Sequence, residues 1–102
     1  MFIYNTTFHC EKECQQEFIT WLRTEYIPVA AQHKDVFEPR LAHILGQSED
    51  EGISISLQFL TPSLNALSTW YKECGDAIIK KLEKKFEKRV VGFSTIMQQI
   101  EL

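Results

Sequence analysis

The sequence predicts an α+β domain: a four-stranded antiparallel sheet with two helices packed on one of its faces. Three observations point there. Four stretches show the alternation of strands and two show the three-to-four-residue recurrence of helices. Their order along the chain is β-α-β-β-α-β. The 102 residues suffice for one domain, 1–102, and not for two.

Met1 to Cys10 reads as the first strand. Phe2, Tyr4, Thr6 and Phe8 point to one side of it; Ile3, Asn5, Thr7 and His9 point to the other. Both sides carry bulky or β-branched residues, which suits a strand inside a sheet. Glu11 to about Ile27 reads as a helix, with Cys14, Phe18, Leu22 and Val29 on one side and Ile19, Trp21 and Tyr26 widening the stripe. Glu11 and Glu13 favour the positive end of its dipole. Pro28 is expected to end or kink it, and residues 29–39 are the least regular part of the chain.

Arg40 to Gln47 reads as the second strand, 48–52 as an acidic turn, and Ile53 to Leu60 as the third strand. In the third strand Ile53, Ile55, Leu57 and Phe59 alternate strictly with Ser54, Ser56 and Gln58. Such alternation puts one face on a core and the other on something wetter. Thr61-Pro62-Ser63 starts the second helix, with Thr61 as the cap and Pro62 at the first position. Leu64, Leu67, Trp70 and Tyr71 supply its apolar stripe. Gly75 is expected to break this helix and Asp76 to cap another, whose Ile78, Ile79, Leu82 and Phe86 run to about Lys88. Val90 to Ile100 reads as the last strand, with the side that meets the helices left open.

This order is the ferredoxin-like split βαβ arrangement, in which the first and third strands form the central pair. Both helices cover one sheet face. The other would carry Asn5, Thr7, His9, Ser54, Ser56 and Gln58, with Ile3. A face that is half polar and half apolar must meet solvent, a ligand or another subunit.

Composition narrows the partners. A chain this short buries a limited core, so a homodimer is expected. The net charge of -3 carries no basic excess, which argues against nucleic acid and anionic membranes as general partners. Met1 to Cys10 has no positive region and no unbroken apolar run, so no signal peptide is expected. No apolar stretch approaches the ~18 residues of a membrane span. Three cysteines, an odd number without framework spacing, suggest reduced thiols and a cytoplasmic protein.

Chemistry-bearing motifs are sparse. His9, Cys10 and Cys14, with His33, His43 and Cys74, lack the spacing of a structural metal site, and no metal is expected. No nucleophile elbow or phosphate-binding glycine loop is present. Lys80, Lys81, Lys84, Lys85, Lys88 and Arg89 form a basic cluster interleaved with Glu83 and Glu87, which reads first as a solvated helix face with lysine–glutamate pairs. The second face of the sheet lacks the aromatic signature of RNA binders.

The opening Met1-Phe2-Ile3-Tyr4-Asn5-Thr6-Thr7-Phe8-His9 resembles a family of short bacterial proteins of unknown function. So do Trp21-Leu22 to Tyr26-Ile27-Pro28, Arg40-Leu41 and the closing Val90-Val91-Gly92-Phe93. The resemblance implies a dimeric α/β-barrel, two ferredoxin-like sheets packed face to face, and no established activity. More distantly, the layout is similar to antibiotic-biosynthesis monooxygenases and their haem-degrading relatives. The latter use an asparagine on the first strand, a tryptophan on the second helix and a histidine about three turns on. Asn5 and Trp70 match the first two by position, but the third falls near Lys80 and no histidine follows His43. No cofactor is therefore expected.

The function expected first is a small-molecule-binding or regulatory module. Asn5, Thr7, His9, Ser56 and Gln58 are its hydrogen-bonding groups and Trp70 an apolar wall. The alternatives are a small cofactor-independent monooxygenase-like oxidoreductase, in which His9 acts as acid or base, and a structural interaction module whose sheet face is closed by its partner.

Overall fold

The computed structural model describes residues 1–46 and 51–102. Strands β1 (Phe2–Cys10), β2 (Phe37–Ile44), β3 (Ile53–Thr61) and β4 (Val90–Gln98) form one antiparallel sheet in the order β2-β3-β1-β4. β1 and β3 are the central pair, as the topology predicts. β2 begins three residues earlier than the alternation suggests. A register shift between Phe37 and Arg40, with Glu38 at φ 52°, breaks the two-residue period and hides the strand's start. Gln47 and most of the expected acidic turn lie outside the described residues.

Two helical arms cross the sheet. The first runs from a 3-10 turn (Lys12–Cys14) through α1 (Gln15–Trp21) and a π-helical turn (Leu22–Tyr26) to α2 (Ile27–Gln32). Pro28 therefore does not end the helix. It sits at the start of α2, directly after a turn whose Ile27 N–H reaches back five residues to the Leu22 carbonyl. A widened turn there accommodates the missing proline N–H and its bulky ring. The arm stops at His33, whose backbone is extended.

The second arm runs through α3 (Leu64–Trp70), a π-helical turn (Tyr71–Gly75) and α4 (Asp76–Phe86). Its cap is Ser63, not Thr61: the Ser63 hydroxyl accepts the Ala66 N–H at 3.0 Å. Thr61 is instead the buried last residue of β3. Gly75 does not break the arm either. It is needed for room: a Cβ there would lie 2.5 Å from Cζ3 of the Trp70 indole. Gly75→Ala is expected to cost about 1–3 kcal/mol by overpacking, a fall of about 5–15 °C in the melting midpoint of a domain this size.

The core lies between the arms and one sheet face. Tyr4, Phe8, Ile55, Leu57 and Phe59 from the sheet meet Phe18, Leu22, Tyr26, Leu67, Trp70 and Phe86 from the arms. Edge-to-face ring pairs tie the layers: Phe8 to Phe18 and Phe18 to Phe86, both at 5.2 Å, and Tyr4 to Trp70 at 5.5 Å. The basic cluster is exposed along the outer side of α4 and the turn after it. The ion pair on α4 joins Lys80 to Asp76 at 2.9 Å rather than to Glu83 or Glu87. Among the described residues, no helix is long and apolar enough to cross a membrane.

Candidate functional site

Strand register determines what shares the helix-free face, because directly paired residues point the same way. Across it run four rows. Arg40, Gln58, Asn5 and Thr95 form a polar belt. Ala42, Ser56, Thr7 and Phe93 lie beside it, followed by Ile44, Ser54, His9 and Val91. On the belt's other side stand Phe37, Leu60, Ile3 and Met97. The structure thus brings Asn5, Thr7, His9, Ser56 and Gln58 onto one face. It adds Arg40 and Thr95, which sequence reading missed because the facing of β2 and β4 depends on pairing, not on local pattern.

The polar side chains hold one another. Asn5 Nδ2 donates to Thr7 Oγ1 at 3.1 Å, and the Ser56 hydroxyl donates to Asn5 Oδ1. Asn5 is 8 % exposed, so this network is pre-set rather than floppy. His9 Nε2 lies 2.9 Å from the Glu51 carbonyl, which can only accept, so Nε2 carries the proton. Nδ1, the other ring nitrogen, lies 3.2 Å from Ser54 Oγ. Gly52 packs directly under this histidine. At φ 98°, it has the Cys10 carbonyl oxygen 2.5 Å from where a Cβ would stand. The ring is thus clamped between β1 and the start of β3.

Trp70 does not join the group. It is fully buried on the opposite side of the sheet, against Tyr4, and its indole N–H donates to the Ala30 carbonyl at 3.3 Å. It therefore cannot wall a cavity on the helix-free face. For the same reason Asn5 and Trp70 do not converge on one ligand, although their sequence positions match the haem-degrading pattern. Helical periodicity placed Trp70 on an apolar stripe but could not say which layer that stripe faced.

A concavity of about 340 Å³ opens on the helix side, where β4 overhangs the end of α4. Phe8, Tyr26, Ile79 and Leu82 make its apolar wall. Thr6 and Ser94 bring hydroxyl oxygens 3.3 Å apart, and Ser94 donates on to the Tyr4 oxygen at 3.2 Å. Burial, with Tyr4 nearby, holds the Tyr26 phenol protonated well above its usual range.

Of the cysteines and histidines whose spacing does not suit a metal site, Cys10 and Cys14 lie in the core and Cys74 is half-buried on the second arm. His33 pairs with Glu73 at 2.6 Å, tying the end of the first arm to the second. Burial first, then the neighbouring Cys14, pushes the Cys10 thiol from an ordinary 9.0 up to about 12. A thiol raised in the folded state binds its proton more tightly there than in the unfolded chain. Stability is therefore full below pH 9 and is lost as pH rises through 12. Melting curves from pH 8 to 11 should show a falling midpoint, and Cys10→Ala should flatten that fall.

The sheet order, the two arms on one face and the mixed polar and apolar second face define a ferredoxin-like α+β domain. The chain belongs to the family described as a domain of unknown function, DUF4286, which its residues 1–100 match. No curated protein matches it. Among solved structures, the chain is similar to a Deinococcus radiodurans protein assigned as an antibiotic biosynthesis monooxygenase. That similarity has 16% identity, covers 100% of this chain and 95% of the other, and has a TM-score of 0.76. A second antibiotic biosynthesis monooxygenase matches at 14% identity, 99% and 100% coverage, and a TM-score of 0.70. A dimeric ferredoxin-like protein from an uncultured marine organism matches at 11% identity, 100% and 97% coverage, and a TM-score of 0.70. At these identities the similarity establishes the fold.

Proposed function

We propose that the protein works as a homodimer whose helix-free sheet faces meet, and that this dimer is a non-catalytic binding module for a small molecule. The supporting observation is that one face carries both kinds of group such a chamber needs. Val91, Phe93, Met97 and Ile44 expose large apolar surface on it, and Asn5, Thr7, His9, Ser56 and Gln58 lie between the strands that carry them. Apolar edges seal against a partner, and the polar groups between them orient a ligand. The dimeric state of a fold neighbour adds support. A cytoplasmic setting fits three free thiols.

The test uses protein purified without denaturation. Asn5→Ala should leave the dimer intact and weaken the co-purified or titrated ligand by about ten- to a hundredfold, the effect of one or two hydrogen bonds. Ligand affinity unchanged by Asn5→Ala would reject this placement of the site.

A second reading, a small cofactor-independent monooxygenase-like oxidoreductase, is favoured by the helix-side cleft. Its apolar wall and its row of hydroxyls from Ser94 to Tyr4 suit a ring-bearing substrate with one polar group. Leu82→Trp would fill that cleft. Oxygen consumption with a hydroxylated aromatic substrate that disappears in this variant and persists in Asn5→Ala would support the enzyme over the chamber.

A further inference from the structure

The strand–helix junction after β1 brings two thiols together in the core. Cys10 is the last residue of β1, and Cys14 ends the 3-10 turn that follows. One tight turn separates them, so their side chains return to the same spot. Their sulfurs lie 3.2 Å apart, and both thiols donate to the Glu11 carbonyl, at 3.1 and 3.4 Å. Both are buried, at 0 % and 3 % exposure. Among the described residues, no third His, Cys, Asp or Glu joins them in a group that could hold a metal.

We propose that Cys10 and Cys14 form a redox couple, a dithiol that closes to an intramolecular disulfide and reopens. The sulfurs need to approach by about 1 Å to reach the ~2.05 Å of a disulfide. The oxidant is a small-molecule disulfide. One thiol loses its proton and attacks it, forming a mixed disulfide and expelling one small thiol. The second thiol loses its proton and attacks the protein sulfur of that mixed disulfide. The S–S bond forms and the second small thiol leaves. Two electrons pass to the small disulfide, and the two protons end on the expelled thiols.

The environment sets the behaviour of this couple. Both thiols are shielded from solvent, and burial disfavours the Cys10 thiolate, so oxidation follows local opening of the junction. With the Cys10 thiolate disfavoured, the couple also lacks the stabilised reduced form that makes some dithiols strongly oxidising. Once closed, the bond is retained against moderate reductants and staples the end of β1 to the first arm. Cys74 takes no part, since it lies on the second arm near the Val29 carbonyl.

The full-length protein is equilibrated with oxidised and reduced glutathione in varied ratio, acid-quenched, unfolded, treated with N-ethylmaleimide and weighed. The expected oxidised species is about 2 Da lighter before alkylation, takes up one maleimide, and maps to a Cys10–Cys14 link. Its melting midpoint is raised by about 5 °C, with the near-ultraviolet circular dichroism of the reduced fold. Cys14→Ser and, separately, Cys14→Ala should each retain two alkylatable thiols and form no internal link. Three maleimides at every ratio would overturn the proposal. So would a link through Cys74, glutathione left on Cys10 or Cys14, or loss of the fold on oxidation.

Discussion

Phe93→Asp is expected to convert the proposed dimer to a monomer with an intact fold. Phe93 is 66 % exposed in the protomer, on the edge strand β4, so its substitution removes little from the core. By register it stands on the helix-free face beside Thr7. Four strands of about nine residues make a face of roughly 19 by 30 Å, on the scale that a stable protein interface takes from each partner. An aromatic anchor in such a face contributes about 2 kcal/mol or more, and a symmetric dimer contains it twice. Replacing it with a carboxylate should weaken association roughly 1000-fold. Sedimentation velocity at micromolar concentration reads the result. A variant that stays dimeric with wild-type affinity would show that the copies associate elsewhere.

Trp70→Ala should produce the largest loss of stability. The indole is fully buried between the second arm and β1, stacks edge-on with Tyr4, and bonds to Ala30 on the first arm. It therefore joins both arms to the sheet. Removing it leaves a cavity and takes the indole donor from the Ala30 carbonyl, which keeps the His33 N–H at 3.3 Å; the cost is about 3–5 kcal/mol and a fall of about 15–25 °C in the melting midpoint. Trp70→Phe keeps the ring packing and separates the two roles proposed for this residue. As a core residue it should melt lower while ligand affinity holds. An unchanged midpoint with lost affinity would restore Trp70 to the binding site.

The sheet and its order were legible because β3 alternates strictly, the element order β-α-β-β-α-β fixes the topology, and each arm carries a clear helical stripe. The errors fall where a single residue type was read without its neighbours. Pro28 is expected to end or kink a helix; the chain stays helical through it, with a π-helical turn directly before. Gly75 was expected to break one, but its missing side chain makes room for Trp70 six-membered ring atoms. Ser63 caps the second arm where Thr61 was expected to, because Thr61 stays in β3. The polar half of the candidate face was legible in β1 and β3 because both alternate. Its apolar half was not, since β4 is apolar on both sides and only pairing with β1 shows that Val91, Phe93 and Met97 share the face of Asn5. Trp70 was misplaced because a stripe on a helix does not name the layer it packs against.

Native mass spectrometry of the wild-type protein, purified without denaturation, tests the central proposal most directly. The expected result is an assembly of twice the 11.9 kDa chain mass carrying a defined small-molecule mass that Asn5→Ala removes. A monomer at micromolar concentration would contradict it, as would a dimer whose bound mass is unaffected by Asn5→Ala.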